Sequence, residues 1–279
     1  MAWGKVTIYP VGNKTGKGTI LARYKKSMIP FEPVLSGVNI NMHLILEYLA
    51  FFIAFRYYLY LRKNGLDAIS TNNRLSILIG AVFGALFLSR LMAFLENPIL
   101  HLEQDWLSNL NNKTIMGGLF GGLLGVEIAK KIIAEKQSSG DLFTLPLILG
   151  ISIGRIGCLL SGIKEFTYGK VTSSFLGMNL GDGQPRHAIA LYEIGFLVLL
   201  FFIIKNLQHK KYGFKSGTYF KIFMVSYFGF RFLIEFIKPN TFYLFGLSSI
   251  QLLCIICLIY YYKFFLQGLS YAREKLYLL

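Results

Sequence analysis

Seven stretches of predominantly apolar residues alternate with short polar segments along this chain of 279 residues. Each stretch is close to the roughly 20 residues that an α-helix needs to cross a bilayer. The pattern therefore predicts an all-α integral membrane protein with about seven transmembrane helices, at 43–61, 75–95, 115–133, 142–162, 187–205, 217–237 and 241–265. The connections are mostly short, so residues 43–265 are expected to form one polytopic domain.

The two ends of the chain are polar. Residues 1–42 form a basic N-terminal arm without an apolar core at signal-peptide distance, so no cleaved leader is expected. Residues 266–279 form a short tail. Lys and Arg are concentrated in the tail and in the loops after the first, third and fifth spans, which predicts a cytoplasmic C-terminus and a periplasmic arm. The basic arm argues against this orientation, but all three loops agree on it.

Composition supports the membrane setting, because 54% of the residues are hydrophobic, 15% are charged, and 25 are Phe. The net charge of +15 comes mostly from the cytoplasmic loops and the arm, and it favours contact with anionic lipid headgroups over nucleic-acid binding. No nucleotide-binding or metal-binding motif is present in the sequence, and Cys254 and Cys257 have no His or carboxylate near them along the chain. Neither a cofactor nor a metal is therefore expected.

Two arginines, Arg155 and Arg231, lie inside the apolar runs 142–160 and 226–237. A charged side chain at bilayer depth costs at least roughly 2.5 kcal/mol, so such residues usually face a bundle interior or a wet cavity. A guanidinium stays protonated, and its planar fork of donors matches phosphate oxygens, which in a membrane belong most commonly to lipids. We therefore predict that both arginines share a polar central cavity that binds a phospholipid headgroup.

Further charged residues accompany these arginines. Glu235 follows Arg231 by four positions, so the two can pair on one helix face. The pair either only reduces the cost of insertion or orients the guanidinium for a ligand. His187, beside Arg186 at the mouth of the fifth span, is either a hydrogen-bonded surface residue or a base. Arg90, late in the second span, is a candidate for lining the same cavity.

Small residues also allow two readings. Gly117 and Gly118 open a series that continues with Gly121, Gly122 and Gly125. This spacing is typical of close helix packing, and the alternative is a helix start whose free backbone N–H groups face an anion. Cys158 follows Arg155 by three positions. It is interpreted as a small core residue, because a catalytic thiol would need a base within reach.

Four blocks of residues, in this order along the chain, resemble the signature blocks of the bacterial prolipoprotein diacylglyceryl transferase family. They are 154–162 (GRIGCLLSG), 168–170 (YGK), 186–193 (RHAIALYE) and 231–239 (RFLIEFIKP). Residues 116–119 (MGGL) look like the block in which the family usually has His-Gly-Gly-Leu. The similarity extends over roughly residues 43–265.

The resemblance implies a cavity that faces the periplasm in the bacterial inner membrane. There, phosphatidylglycerol would donate its diacylglyceryl group to the lipobox cysteine of a preprolipoprotein, leaving a thioether and glycerol 1-phosphate. The expected partners are phosphatidylglycerol, lipobox-containing preprolipoproteins and membrane lipids, with no nucleic acid and no cofactor. The predicted catalytic residues are Arg155, Arg231, Glu235 and His187, and the predicted substrate-binding residues are Gly117, Gly118, Arg186, Tyr192, Gly154, Gly169 and Arg90.

The chain departs from the family pattern at several positions. Met116 stands where the family usually has His, and Cys158 and Ser161 stand where Asn is usual. Met cannot accept a proton, so a base must come from elsewhere, with His187 the first candidate and Glu235 or Glu193 weaker ones. These departures indicate a divergent member. They leave open a non-catalytic homologue that binds or moves phospholipid, or the same transfer to a different acceptor.

Overall fold

The computed structural model describes residues 29–35, 37–67, 69–103, 112–210, 214–240 and 245–266. Most of the predicted N-terminal arm and nearly all of the predicted C-terminal tail lie outside these ranges. The helices are α1 Met42–Leu61, α2 Thr71–Glu96, α3 Pro98–Glu103, α4 Ile115–Ile132, α5 Asp141–Ser161, α6 Ile189–His209, α7 Thr218–Ile234 and α8 Ser249–Tyr260. The prediction of a helical membrane protein is confirmed.

Strands in the described part of the chain form two small antiparallel pairs. β1 Val34–Leu35 pairs with β2 Val38–Asn39, and β3 Gly177–Asn179 pairs with β4 Pro185–His187. The second pair lies between α5 and α6 and moves the start of α6 to Ile189, two residues later than the sequence pattern predicts.

Within the described ranges, four segments are long and apolar enough to cross a membrane, so the chain is a multi-pass membrane protein. They are Met42–Asn64, Thr71–Glu96, Asp141–Lys164 and Ile189–His209. Helices α4, α7 and α8 overlap the other three predicted spans but are shorter or less apolar, so the count of seven stays a prediction. Large side chains on α1 and α2 point outward, as expected of lipid-facing surfaces: Phe51, Phe52, Phe83 and Phe87.

Polar side chains fix where several helices begin. Asn41, Ser70 and Thr114 each accept a hydrogen bond from the backbone N–H three residues ahead, at 3.1, 3.3 and 3.2 Å. Ser248 and Gln251 form a reciprocal capping box at the start of α8. The capping box explains why α8 begins at Ser249, well inside the predicted span 241–265.

The hydrophobic core lies among α4 to α8. Leu123, Ile148, Leu197, Tyr227 and Cys257 are among its members, one from each of these five helices. Charged contacts gather at the two ends of the helices. At one end, the first two turns of α1 and α6 meet the last two turns of α5 and α7. The candidate site residues described below lie at this end.

Helices α2 and α4 approach each other backbone to backbone through glycines. A Cβ atom placed on Gly84 would lie 2.1 Å from the carbonyl oxygen of Gly121, and one on Gly125 would lie 2.0 Å from that of Gly80. Gly117 is similarly close to the carbonyl oxygen of Leu88, at 2.5 Å. The interpretation of this glycine series as a close-packing surface is therefore confirmed at these positions.

Gly84→Ala is expected to reduce the free energy of unfolding by about 1–3 kcal/mol, because overpacking separates two backbones in contact. Gly122→Ala is the matched control, since a Cβ there would meet Ala81 and Ala85 at ordinary distances of 3.6 and 3.7 Å. Thermal unfolding of both variants in detergent micelles measures the difference. Equal midpoints for the two variants would contradict the close approach of α2 and α4.

Candidate active site

A single buried carboxylate, that of Glu193, joins the two membrane-depth arginines. Glu193 lies in the second turn of α6 and is fully buried. Its Oε1 is 2.9 Å from Nε of Arg155 on α5, and its Oε2 accepts a hydrogen bond of 3.0 Å from Nη1 of Arg231 on α7. Tyr227 donates its hydroxyl to the same carboxylate. The two guanidiniums therefore lie in one polar cluster, as the sequence predicts.

Arg231 also pairs with Glu235, four residues further along. Glu235 is fully buried and accepts hydrogen bonds from Nη2 of Arg231 and from the side-chain amide of Asn240. Lys238 follows, with its Nζ 2.8 Å from Glu96 and 3.8 Å from Glu235. The predicted pairing of Arg231 with Glu235 is confirmed. It belongs to a wider cluster in which buried cations and carboxylates alternate.

One donor of each arginine is incompletely satisfied within this cluster. The buried Nε atoms of Arg155 and Arg231 have no hydrogen-bond acceptor among the described residues. Nε of Arg155 is within ion-pair distance of Glu193, but its N–H is not directed at the oxygen. A buried donor without an acceptor costs free energy, and the ion pairs with Glu193 and Glu235 offset this cost at the two guanidiniums.

A second group of side chains meets beside Arg155. Nη1 of Arg155 is 3.7 Å from the sulfur of Cys158, and the same sulfur is 3.5 Å from Nε2 of His43 in the first turn of α1. The other ring nitrogen of His43 lies 3.2 Å from Glu165. Gly157 allows His43 to lie this close, because a Cβ at position 157 would come within 3.1 Å of the imidazole.

The predicted base His187 lies elsewhere, in the connection between α5 and α6. Its Nδ1 is 3.1 Å from the hydroxyl of Tyr192, one of the predicted substrate-binding residues. Gly169 donates its backbone N–H to the carbonyl of His187 at 2.8 Å, and a Cβ there would clash with His187. Lys170 attaches this connection to the end of α7 through the carbonyl of Ile237. The second and third signature blocks therefore pack together.

Arg186 pairs with Asp182 in the connection between α5 and α6. Nε of Arg186 is 2.6 Å from the Asp182 carboxylate, and the guanidinium lies 5.2 Å from the ring centre of Tyr168. Burial opposes ionisation of Asp182, but hydrogen bonds from Arg186 and the Gln184 backbone outweigh it and lower the pKa of Asp182 below its ordinary value. Arg186 therefore has a structural partner in the connecting hairpin.

The remaining predicted site residues differ in their surroundings. Arg90 donates to the carbonyl of Leu86 on its own helix at 3.2 Å. The N–H of Gly117 is bonded to the Thr114 side chain and that of Gly118 to the Thr114 carbonyl, so both are already engaged at the start of α4. Gly154 has open space where a Cβ would lie, one residue before Arg155. Substrate-binding roles for these residues stay predictions.

Sequence reasoning missed His43 and Glu165, and it considered Glu193 only as a weaker candidate for the base. His43 is the first ionisable residue of the first apolar span, which is a usable signal for a polar cavity. Glu165 lies in a polar loop where carboxylates are common, so the sequence gives no signal for its contact with His43. The partner role of Glu193 depends on the packing of three helices.

Comparisons with known proteins agree with these observations. The family model for prolipoprotein diacylglyceryl transferase matches residues 33–266. The phosphatidylglycerol–prolipoprotein diacylglyceryl transferase of Rickettsia felis is 33% identical over 188 residues, which is 62% of this chain and 66% of that protein. The transferase of the same name from Bordetella parapertussis is 30% identical over 175 residues, covering 60% of this chain and 63% of that protein. These two matches therefore span slightly less than two thirds of the relatives' length. That of Campylobacter hominis is 25% identical over 267 residues, covering 88% and 94%.

Proposed function

Because this chain belongs to the prolipoprotein diacylglyceryl transferase family, we propose that it transfers a diacylglyceryl group from phosphatidylglycerol to the lipobox cysteine of a preprolipoprotein. The observation that carries the proposal is the convergence of Arg155 and Arg231 on the buried Glu193 carboxylate. Glycerol 1-phosphate is the second product. The site acts in the bacterial inner membrane, with the N-terminal arm in the periplasm and the tail in the cytoplasm.

The reaction requires an anion to be stabilised as it leaves. The acceptor sulfur attacks a glyceryl carbon, a C–S bond forms, and the C–O bond breaks with its electron pair passing to the phosphate. Interactions that strengthen as this charge develops accelerate the step. Arg155 and Arg231 supply these interactions, while Glu193 and Glu235 hold the two guanidiniums in position.

The acceptor thiol must also lose its proton. Met116 cannot take it, and Glu193 and Glu235 are both paired with Arg231, so neither carboxylate is free to accept it. His187 is the base expected from the sequence, but its Nδ1 faces Tyr192. The sulfur of Cys158 contacts both His43 and Arg155, and Glu165 orients the imidazole ring of His43. We therefore propose His43 as the primary proton acceptor, with His187 as the second candidate.

Incubation of the purified protein with phosphatidylglycerol and a lipobox peptide tests the proposed function. Mass spectrometry is expected to detect the diacylglyceryl thioether on the peptide and released glycerol 1-phosphate in equal amounts. A peptide with Ser in place of the lipobox Cys is the control and should give neither product. Phospholipid binding without product would instead support a non-catalytic phospholipid-binding protein, which the loss of the family's usual His at Met116 favours.

His43→Gln is expected to lower kcat about a hundredfold, because general-base catalysis typically contributes about 10²–10⁴. The measurement is the initial rate of thioether formation at saturating phosphatidylglycerol. His187→Gln, assayed in parallel, is expected to lower kcat by less than tenfold, about 1.4 kcal/mol of barrier at most. The reverse order of effects would assign the proton transfer to His187.

A further inference from the structure

Three ionisable side chains from separate segments meet at the end of α5. Cys158 lies in the last turn of this helix, His43 lies in the first turn of α1, and Glu165 follows the short 3₁₀ turn Gly162–Lys164. The sulfur of Cys158 is 3.5 Å from Nε2 of His43, and Nδ1 of His43 is 3.2 Å from Glu165. A thiol, a base and a carboxylate that orients the base are thus aligned.

The hydrogen-bond chemistry of this group favours a reactive sulfur. The Glu165 carboxylate only accepts, so Nδ1 of His43 donates to it and Nε2 presents a lone pair to the Cys158 thiol. The guanidinium of Arg155 only donates, so at 3.7 Å it stabilises negative charge on that sulfur. A nucleophile next to a base that a third group orients is the arrangement of activated thiols.

The other two cysteines provide a contrast within the same chain. Cys254 and Cys257 on α8 are fully buried members of the hydrophobic core. Neither sulfur has a hydrogen-bond partner within the described residues. Cys158 retains 8% of its exposure and lies in a narrow crevice with Gly162, Thr167 and Ala188. Of these three cysteines, only Cys158 keeps some exposed surface and has a neighbouring base.

We propose that Cys158 is a base-activated nucleophilic site that takes small carbon electrophiles, and that a substituent on its sulfur lies beside Arg155. In the reaction, the sulfur forms a bond to the electrophilic carbon, and the leaving group departs with the electron pair of the bond that breaks. The thiol proton passes to Nε2 of His43 and then to solvent. The product is a stable thioether.

A substituent on this sulfur would affect the transfer reaction, a consequence that rests on the proposed function. A group attached to Cys158 extends from a sulfur that is 3.7 Å from Nη1 of Arg155. It competes for the donors that would hold the phosphate of the lipid headgroup. Alkylation of Cys158 therefore blocks the transfer reaction, and Cys158 is a site for covalent inhibition.

Site-resolved alkylation of the folded, full-length protein in detergent micelles tests the reactive thiol. The protein is treated with iodoacetamide for increasing times, and mass spectrometry of peptides gives a separate rate for each of the three cysteines. Cys158 is expected to react at least tenfold faster than Cys254 and Cys257. Similar rates for all three cysteines would overturn the proposal.

Substituted variants test whether Cys158 reacts because His43 activates its thiol or only because the thiol is exposed. His43→Gln is expected to slow alkylation of Cys158 at least tenfold, and Glu165→Gln is expected to slow it to a smaller extent. His209→Gln, at the opposite end of α6, is the matched control and should leave the rate as in the unsubstituted protein. An unchanged rate in His43→Gln would overturn the assignment of His43 as the activating base. Intrinsic fluorescence and gel filtration identify any variant that fails to fold, and Glu165→Gln then provides the test.

A separate experiment measures whether alkylation of Cys158 inhibits the transfer reaction. Protein that has been alkylated at Cys158 and freed of reagent is expected to lose at least nine tenths of its rate of thioether formation on the peptide. The Cys158→Ser variant is expected to keep its rate after the same treatment with iodoacetamide. Full activity after complete alkylation would overturn the blocking step. If the untreated protein makes no thioether at all, the proposed function fails, while the alkylation rates still decide the reactive thiol.

Discussion

Glu193→Gln is expected to destabilise the folded protein by about 3–5 kcal/mol, the range for removing one partner of a buried ion pair. Glu193 is fully buried and its two oxygens face Arg155 and Arg231. In Glu193→Gln, a neutral amide of the same shape replaces the carboxylate. Arg231 then keeps Glu235 as its buried carboxylate partner, and Arg155 loses its ion pair with Glu193. The amide of the introduced Gln also directs N–H donors at the guanidiniums, which can only donate. The loss should therefore greatly exceed that of an ordinary surface substitution.

Thermal unfolding in detergent micelles, followed by gel filtration of the heated protein, measures this loss. Glu127→Gln is the matched control, because Glu127 is partly exposed and its Lys130 partner is 3.9 Å away. An exposed pair of this kind contributes at most about 1 kcal/mol. If Glu193→Gln and Glu127→Gln unfold at the same temperature, Glu193 does not hold the arginine cluster together.

A failure of Glu193→Gln to fold would still be informative when compared with Glu193→Asp. Asp keeps the charge and shortens the side chain by one methylene, so a folded but less stable protein is expected.

In whichever variant folds, glycerol 1-phosphate should raise the unfolding temperature, because a ligand that binds only the folded state stabilises it. No response to glycerol 1-phosphate up to millimolar concentrations would argue against an anion site at these arginines.

The location of the arginine cluster was predictable from the sequence because its physics is local. Two guanidiniums in apolar runs have few places to lie other than a shared polar interior. The pairing of Arg231 with Glu235 follows from helix geometry, since residues four apart lie on one face. Both expectations are met by the contacts of these side chains.

The partners that complete the site were not predictable, because they come from distant parts of the chain. Cys158 and His43 are 115 positions apart, and their contact depends on how α1 packs against α5. Glu193 connects three helices whose rotations the apolar pattern does not fix. Hydrophobic periodicity identifies which segments are helical and leaves open which residues of two helices touch.

The connection between α5 and α6 shows a similar limit. The apolar pattern gives only a polar segment between the fourth and fifth predicted spans, whereas the structure has the strand pair β3 and β4. The turn between them depends on Asn179, whose side chain accepts from the backbone N–H groups of Gly181 and Gly183, both at 3.0 Å. Both glycines have positive φ values, which explains their presence. Short strands with so few residues carry little periodic signal.

Arg155→Lys is expected to lower kcat about 10²–10³-fold, the range for removing one oriented donor at a developing oxyanion. Lys keeps the positive charge, so the ion pair with Glu193 and the fold should largely survive. It does not reproduce the planar fork, which in Arg155 reaches both Glu193 and the sulfur of Cys158. The measurement is the rate of thioether formation per folded molecule at saturating phosphatidylglycerol, with folded protein counted by gel filtration.

Arg74→Lys is the matched control for this experiment, because Arg74 is as deeply buried but lies at the opposite end of the helices. It pairs with Asp67 and donates to the carbonyl of Ser139 at 3.1 Å. Arg74→Lys should lower stability through these lost contacts while the rate per folded molecule stays within about twofold, a change of less than 0.5 kcal/mol in the barrier. A loss of rate in both variants that scales with loss of stability would mean that Arg155 acts through the fold alone. A loss confined to Arg155→Lys requires its guanidinium to contact the reacting phosphate.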